Sequence, residues 1–81
     1  MEILRKTAGR YEMDEAGGVV FADVRRVGQD LYIDHVESPE ALRGSGAAGR
    51  LMSALLADAQ QEGLNLVPIC GYAAAWLRRN S

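Results

Sequence analysis

The sequence predicts an α+β fold in which a mixed, mainly antiparallel sheet carries one long crossover helix and one short C-terminal helix. Residues 3–37 alternate runs of β-branched and aromatic residues with turn formers, which is typical of an antiparallel meander. Residues 46–62 place apolar side chains at spacings of three and four, which is typical of an amphipathic helix. A further apolar run follows this helix, and such a crossover implies parallel pairing with an earlier strand.

The N-terminal half is predicted to form four strands, at residues 3–6, 11–13, 19–26 and 31–37, joined by turns that include residues 14–18 and 27–30. Because side chains alternate along a strand, one face of the fourth strand is expected to carry Leu31, Ile33, His35 and Glu37. The acidic side chains near the first hairpin are expected to be solvated: Glu12, Asp14 and Glu15.

The C-terminal half begins with the long helix, whose apolar stripe of Leu51, Met52, Leu55 and Leu56 is predicted to be core. Gly63 is its expected end. A short strand at residues 64–69 and a helix at residues 72–79 follow. The last helix is expected to pack Trp76 and Leu77 and to end on two arginines, which suit the negative end of its dipole.

Length and charge exclude several classes of protein. With 81 residues and 8.8 kDa, the chain is expected to form one domain, residues 1–81. A net charge of −2 argues against a nucleic-acid binder, which needs a basic face. No run approaches the roughly 20 apolar residues of a membrane span, and residues 1–5 lack a secretory apolar stretch, so a cytoplasmic protein without a membrane partner is expected. One cysteine and one histidine cannot form a structural zinc site, and no metal is expected.

The most informative segment is the run of small residues from Arg43 to Gly49, which leads directly into the long helix. The first N–H groups of a helix lack internal partners and lie at the positive end of its dipole, so a glycine-rich start can hold a phosphate or diphosphate. Arg43 could add a forked contact to the same anion. A plain loop and helix start would show the same run, and the motif alone does not exclude it.

Within this run, Arg43-x-x-Gly46-x-Ala48 resembles the Arg/Gln-x-x-Gly-x-Gly/Ala signature of the GNAT acetyltransferases. The order of a histidine-bearing strand, a proline-containing loop, this run, a long helix and Pro68-x-Cys70-x-Tyr72 is similar to that of small, single-lobed GNAT-like proteins. The resemblance implies binding of acetyl-CoA as cosubstrate. The cofactor-binding residues that it implies are Val36, Glu37, Ser38, Arg43, Gly44, Ser45, Gly46, Ala47, Ala48 and Gly49.

Three residues are candidates for catalysis. Histidine is the side chain whose ordinary titration lies near neutral pH, so His35 is a candidate base, although a strand histidine is also often a packed, hydrogen-bonded residue. Cys70 follows the last strand, where the resemblance implies an acetyl-thioester carrier; a small buried hydrophobic residue is the alternative. Tyr72 could protonate the leaving CoA thiolate, or it could be a hydrogen-bonded core or rim residue.

Two mechanisms and three functions therefore stay open. The acceptor amine attacks acetyl-CoA directly, or Cys70 first takes the acetyl group. The expected function is acetyl transfer to a small amine or to a protein or peptide amine by a monomer or weak dimer. The alternatives are a CoA-binding sensor or interaction module with little or no turnover, and a structural domain that binds no CoA.

Overall fold

The computed structural model of the protein describes residues 3–80; Met1, Glu2 and Ser81 of the expected domain lie outside the described residues. Its elements in chain order are β1 (Leu4–Lys6), β2 (Arg10–Glu15), β3 (Gly18–Val27), β4 (Asp30–Glu37), a 3₁₀ turn (Glu40–Leu42), α1 (Ala47–Gln61), β5 (Asn65–Pro68) and α2 (Gly71–Arg79). The strands form one sheet in the order β1-β2-β3-β4-β5. The predicted α+β fold is confirmed.

The sheet pairs as the meander and the crossover predict. Strands β1 to β4 are antiparallel to their neighbours, and β5, reached through α1, is parallel to β4. The predicted end of α1 is also confirmed, because Gly63 adopts a left-handed φ of 70° and its N–H donates to the Gln60 carbonyl at 3.2 Å.

One face of the sheet carries the core. Strand β3 turns Val20, Ala22 and Val24 toward it, and α1 and α2 cover it. Leu51 of α1 and Trp76 of α2 belong to the same buried cluster, so these two helices share a face of the sheet. Neither helix, within residues 3–80, is long and apolar enough to cross a membrane.

The opposite face, called here the open face, carries no helix among the described residues. Its side chains pair across strands by charge: Arg5 with Glu12 (3.0 Å), Arg10 with Asp23 (2.8 Å) and Arg25 with Asp34 (2.6 Å). Arg10 and Arg25 also stack on the rings of Phe21 and Tyr32. The open face is therefore a solvated surface of ion pairs and aromatic rings.

A β-bulge changes the alternation of β4. Asp23 pairs with His35 and Val24 pairs with Ile33, so Asp34 is one extra residue on β4. Residues that face each other across an antiparallel ladder share a face of the sheet. His35 therefore lies on the open face, opposite Asp23.

The expectation that His35 and Glu37 share a face with Leu31 and Ile33 is wrong. Glu37 pairs with Phe21 on the open face, whereas Val36 pairs with the buried Ala22 on the helix face. The physical reason is the inserted residue, because one added residue moves every later side chain to the other face.

Strands β4 and β5 separate at the same place. The Ile33 carbonyl accepts hydrogen bonds from the amides of both Ile69 (3.0 Å) and Cys70 (3.1 Å), and their parallel ladder ends at Ile33 and Pro68. Beyond this point β4 continues to Glu37, while the chain after β5 turns into α2. A split between the two strands therefore begins at Ile33.

Candidate active site

A cavity of about 420 Å³ lies where β4 ends and α1 begins. Ten of the described residues line it: Val36, Ser38, Leu42, Arg43, Gly44, Gly46, Ala47, Ala48, Gly49 and Tyr72. Among these ten, Ser38, Arg43 and Tyr72 have polar side chains. The cavity thus combines apolar walls with a glycine-rich backbone and a single cation.

The glycine loop ends in a backbone conformation that favours glycine. Gly46, the residue before α1, has a φ of 86°, and a Cβ there would lie 3.2 Å from Arg50 Nη1. Ser45 braces the turn from within, since its hydroxyl donates to the Leu42 carbonyl (2.6 Å) and accepts from the Ala47 amide (3.3 Å). The next amides of the helix, at Ala48 and Gly49, have no carbonyl four residues back within α1, and both residues line the cavity.

A long-range ion pair holds this loop to the hairpin of β2 and β3. Arg50 donates to the Glu15 carboxylate through Nη2 (2.7 Å) and Nε (3.2 Å), and its Nη1 donates to the Ser45 carbonyl (3.1 Å). The Glu15 side chain is only 7% exposed, so the expectation of a solvated Glu15 is wrong. Burial and a forked guanidinium contact make this pair a clamp on the start of α1.

The hairpin also supports the chain between β4 and the glycine loop. A Cβ at Gly18 would lie 2.8 Å from Pro39 Cγ, and one at Gly17 would lie 3.2 Å from Leu42 Cδ2. Only a glycine allows so close an approach at Gly18. The β2–β3 turn therefore packs directly against the segment that forms one wall of the cavity.

The hydroxyl of Ser38 has no hydrogen-bond partner among the described residues, although its oxygen is buried. Ser38 immediately follows the last residue of β4 and lines the cavity. Buried polar atoms are nearly always paired, so an unpaired one on a cavity wall indicates a site for a polar group of a ligand.

Tyr72 reaches the cavity because α1 and α2 approach closely at Gly49. A Cβ at Gly49 would lie 3.4 Å from Trp76 Nε1 and 3.8 Å from Tyr72 Oη. Gly49 therefore has a packing role as well as a place in the cavity wall.

The other two candidate catalytic residues lie elsewhere. His35 is on the open face with its side chain 53% exposed, and its Nε2 lies 2.9 Å from Glu37 Oε1. Cys70 is half-buried against the core at the start of α2. Of the candidates His35, Cys70 and Tyr72, the structure places Tyr72 in the cavity wall and His35 on the other side of the sheet.

Acidic groups surround His35 on the open face. Asp23 faces it across the ladder, and Asp34 precedes it. Arg25 donates to both carboxylate oxygens of Asp34 (2.6 and 2.8 Å), and these hydrogen bonds hold the pKa of Asp34 below its usual range. Within residues 3–80, no three histidine, cysteine or acidic side chains are grouped to hold a metal ion.

Comparison with known proteins decides the family. The sequence profile of the GCN5-related N-acetyltransferases matches residues 10–81. The chain belongs to the GCN5-related N-acetyltransferase family. The solution NMR structure of a GCN5-like protein from Staphylococcus aureus has the same fold, with a TM-score of 0.68 and 19% identity over 96% of this chain and 79% of that one. No curated protein matches the chain.

Family membership makes this GCN5-related protein an acyltransferase, and the family uses acetyl-CoA as its cosubstrate. The cavity fits a ligand of that kind in two respects. The glycine loop and Arg43 offer backbone amides and a cation to phosphates, and Ser38 Oγ offers a buried polar atom without a protein partner. Most of the cofactor positions that the resemblance implies line the cavity. Glu37 and Ser45 are not among the lining residues; the Glu37 side chain bonds to His35, and the Ser45 hydroxyl bonds within the loop.

Proposed function

We propose that residues 1–81 form a single domain that binds acetyl-CoA and transfers its acetyl group to an amine. The observation that carries this proposal is the cavity of about 420 Å³ between the end of β4, the glycine loop and the start of α1. Its backbone amides and Arg43 suit a diphosphate, and its apolar walls suit the long, uncharged remainder of the ligand.

The proposed cofactor contacts follow from the separation of the polar glycine loop from the apolar walls of the cavity. The segment from Arg43 to Gly49 holds the diphosphate through backbone amides and the Arg43 guanidinium. Val36, Glu37 and Ser38 hold the pantetheine arm through their backbone, because β4 beyond Ile33 has no pairing with β5. The split between the strands then connects the cavity with the open face.

In the direct mechanism, the acceptor amine approaches from the open face and attacks the thioester carbonyl. A C–N bond forms and the C–S bond of the thioester breaks. His35, oriented by Glu37 at 2.9 Å, takes the proton that the amine loses. Tyr72 gives a proton to the departing thiolate, which its place in the cavity wall supports.

In the covalent mechanism, the Cys70 sulfur attacks first and takes the acetyl group as a thioester, and CoA leaves as its thiol. The amine then attacks this thioester, and the Cys70 thiol is restored. Cys70 supports this route by its position two residues after β5, where its amide donates to the Ile33 carbonyl at the start of the split. Its half-buried side chain packs against the core.

A CoA-binding module with little or no turnover is the second candidate function. One observation favours it: His35 lies on the opposite side of the sheet from the cavity. Binding would then need only the cavity, and the acidic surroundings of His35 would serve no proton transfer.

The acceptor in this proposal is a small amine, or an amine of a protein or peptide, that docks on the open face. The proposed protein is a monomer or weak dimer that has neither a nucleic-acid nor a membrane partner. A cytoplasmic location is part of the proposal and is supported by the single cysteine, which cannot form an internal disulfide.

Equilibrium titration with acetyl-CoA tests binding, and initial rates of acetyl transfer to a panel of amines test catalysis. The proposal expects saturable binding, an unchanged Kd in His35→Ala, and a rate about 100-fold lower in that variant. Absence of saturation at millimolar acetyl-CoA would refute both the enzyme and the module. Binding with equal rates in wild type, His35→Ala and Cys70→Ala would leave the module as the answer.

Intact mass measurement after incubation with acetyl-CoA separates the two mechanisms. The covalent route expects an acetyl adduct in the wild type that Cys70→Ser lacks. An adduct that persists in Cys70→Ser, or transfer that continues at the wild-type rate in Cys70→Ala, would exclude that route.

A further inference from the structure

Resting on the proposed function, we infer that the Ser38 hydroxyl is a hydrogen-bonding group for an amide of the pantetheine arm of CoA. The starting observation is that Ser38 lines the cavity, while its Oγ is buried and has no partner within residues 3–80. A buried hydroxyl that makes no hydrogen bond destabilises the ligand-free protein. A ligand group that pairs with it removes this destabilisation and gains affinity.

The chain around Ser38 holds the hydroxyl in place before a ligand arrives. On one side, Glu37 ends β4 in the ladder with β3. On the other side, the Pro39 ring packs against the hairpin at Gly18, and the Pro39 carbonyl accepts from the Leu42 amide at 2.8 Å. Because both neighbours are fixed, binding costs little ordering of this segment.

The surroundings of Ser38 select an uncharged group. The other walls of the cavity are mainly apolar, and the cation and the glycine amides that suit phosphates belong to the segment from Arg43 to Gly49. Val36, two residues before Ser38, is packed against the core. An amide offers both a carbonyl acceptor and an N–H donor, and a hydroxyl can pair with either.

The test compares two probes, CoA and adenosine 3′,5′-bisphosphate, which keeps the 3′-phosphate and the first phosphate of the diphosphate but has no arm. In Ser38→Ala, we expect the Kd for CoA to rise about 2- to 10-fold, the range for one hydrogen bond, and the Kd for the bisphosphate to stay unchanged. The thermal midpoint of the ligand-free protein should stay the same or rise, because an unpaired buried hydroxyl has been removed.

Two further variants serve as controls. Ser53→Ala, at an exposed position on α1, is the matched control and should change neither Kd. Ser38→Cys keeps the size of the side chain with a weaker hydrogen-bonding group, so its Kd for CoA should lie between those of wild type and Ser38→Ala.

Three outcomes would overturn the inference while CoA binding stands: an unchanged Kd for CoA in Ser38→Ala, an equal loss of affinity for both probes, or a lower thermal midpoint of ligand-free Ser38→Ala. The last would mean that the hydroxyl is already paired within the protein. If the wild type binds no CoA, the proposed function fails and this inference fails with it.

Discussion

The two faces of β4 after its bulge differ in almost every physical respect. On the helix face, Val36 packs against the core opposite Ala22 and forms part of the cavity wall. On the open face, His35 and Glu37 are about half exposed and bond to each other. Consecutive residues of one strand therefore line an apolar cavity and a solvated ionic surface. The bulge, which leaves Asp34 out of the ladder, decides which residue lies on which face.

The two faces also differ in what stabilises them. The helix face depends on close packing, such as that of α1 against α2 at Gly49, where small changes in volume matter. The open face depends on exposed ion pairs, which contribute little to the free energy of unfolding and are screened by salt. Under the proposed function, substitutions on the helix face should therefore affect folding and cofactor affinity, whereas those on the open face should affect the acceptor reaction.

The strongest way to break this comparison is Val36→Asn, which places a polar side chain on the helix face of β4. We expect the free energy of unfolding to fall by about 1–3 kcal/mol, since an apolar side chain is lost from its contact with the core and an amide takes its place. Urea denaturation followed by far-UV circular dichroism measures the change.

The matched control is His35→Asn, which makes the same replacement one position earlier, on the open face, where the side chain is 53% exposed. Its stability should change far less than that of Val36→Asn. A larger loss in His35→Asn would mean that His35, and not Val36, faces the core, which is the arrangement that alternation without the bulge would give.

The clamp between Glu15 and Arg50 offers a second test, of how order at the start of α1 affects cofactor affinity. Glu15→Gln weakens a forked, charge-assisted contact that fixes Arg50, which in turn holds the Ser45 carbonyl. We expect the Kd for CoA to rise about 3- to 10-fold because the start of α1 is less ordered. Isothermal titration calorimetry measures it.

Glu12→Gln is the control for the clamp, since Glu12 pairs with Arg5 on the open face. CoA affinity should be the same in this variant and in the wild type. A similar loss in both variants would mean that overall stability, rather than the clamp, controls binding.

The smallest expected effect is that of acidic pH on stability. The Arg25 guanidinium lowers the pKa of Asp34 in the folded protein, and the Lys6 ammonium likewise lowers that of Glu62. The unfolded chain therefore binds protons more readily, and the stabilisation, present above about pH 4, is lost as pH falls through the folded pKa values. Asp34→Asn should show a smaller drop in urea midpoint between neutral and acidic pH.

This pH difference should shrink in high salt, because both carboxylates are exposed. Parallel pH profiles for wild type and Asp34→Asn in low salt would contradict the assigned role of Arg25.

The elements could be predicted from sequence because each has a local cause. The apolar spacing that includes Leu51, Met52 and Leu55 places α1 to within a residue or so, and Gly63 marks its end. The glycine loop could also be located, since small residues before a helix have a clear physical use.

Two features could not be predicted from local sequence patterns, because contacts between residues distant in sequence determine them. The bulge at Asp34 exists only in the pairing of β4 with β3, and alternation within β4 alone gives no sign of it. Glu15 resembles any hairpin carboxylate until Arg50, 35 residues later, is placed beside it. A charged residue at the first turn of the helix beside a glycine loop was the signal that could have suggested such a partner.

The double acceptance by the Ile33 carbonyl is made entirely by main-chain atoms, with the amides of Ile69 and Cys70 as donors. No side chain takes part, so substitution at these three positions leaves the bonding groups themselves intact, provided that residues 69 and 70 do not become proline. The path of the backbone, and not the identity of the side chains, thus determines the separation of β4 from β5. Distant relatives can keep the same opening in the sheet while exchanging most of the residues that surround it.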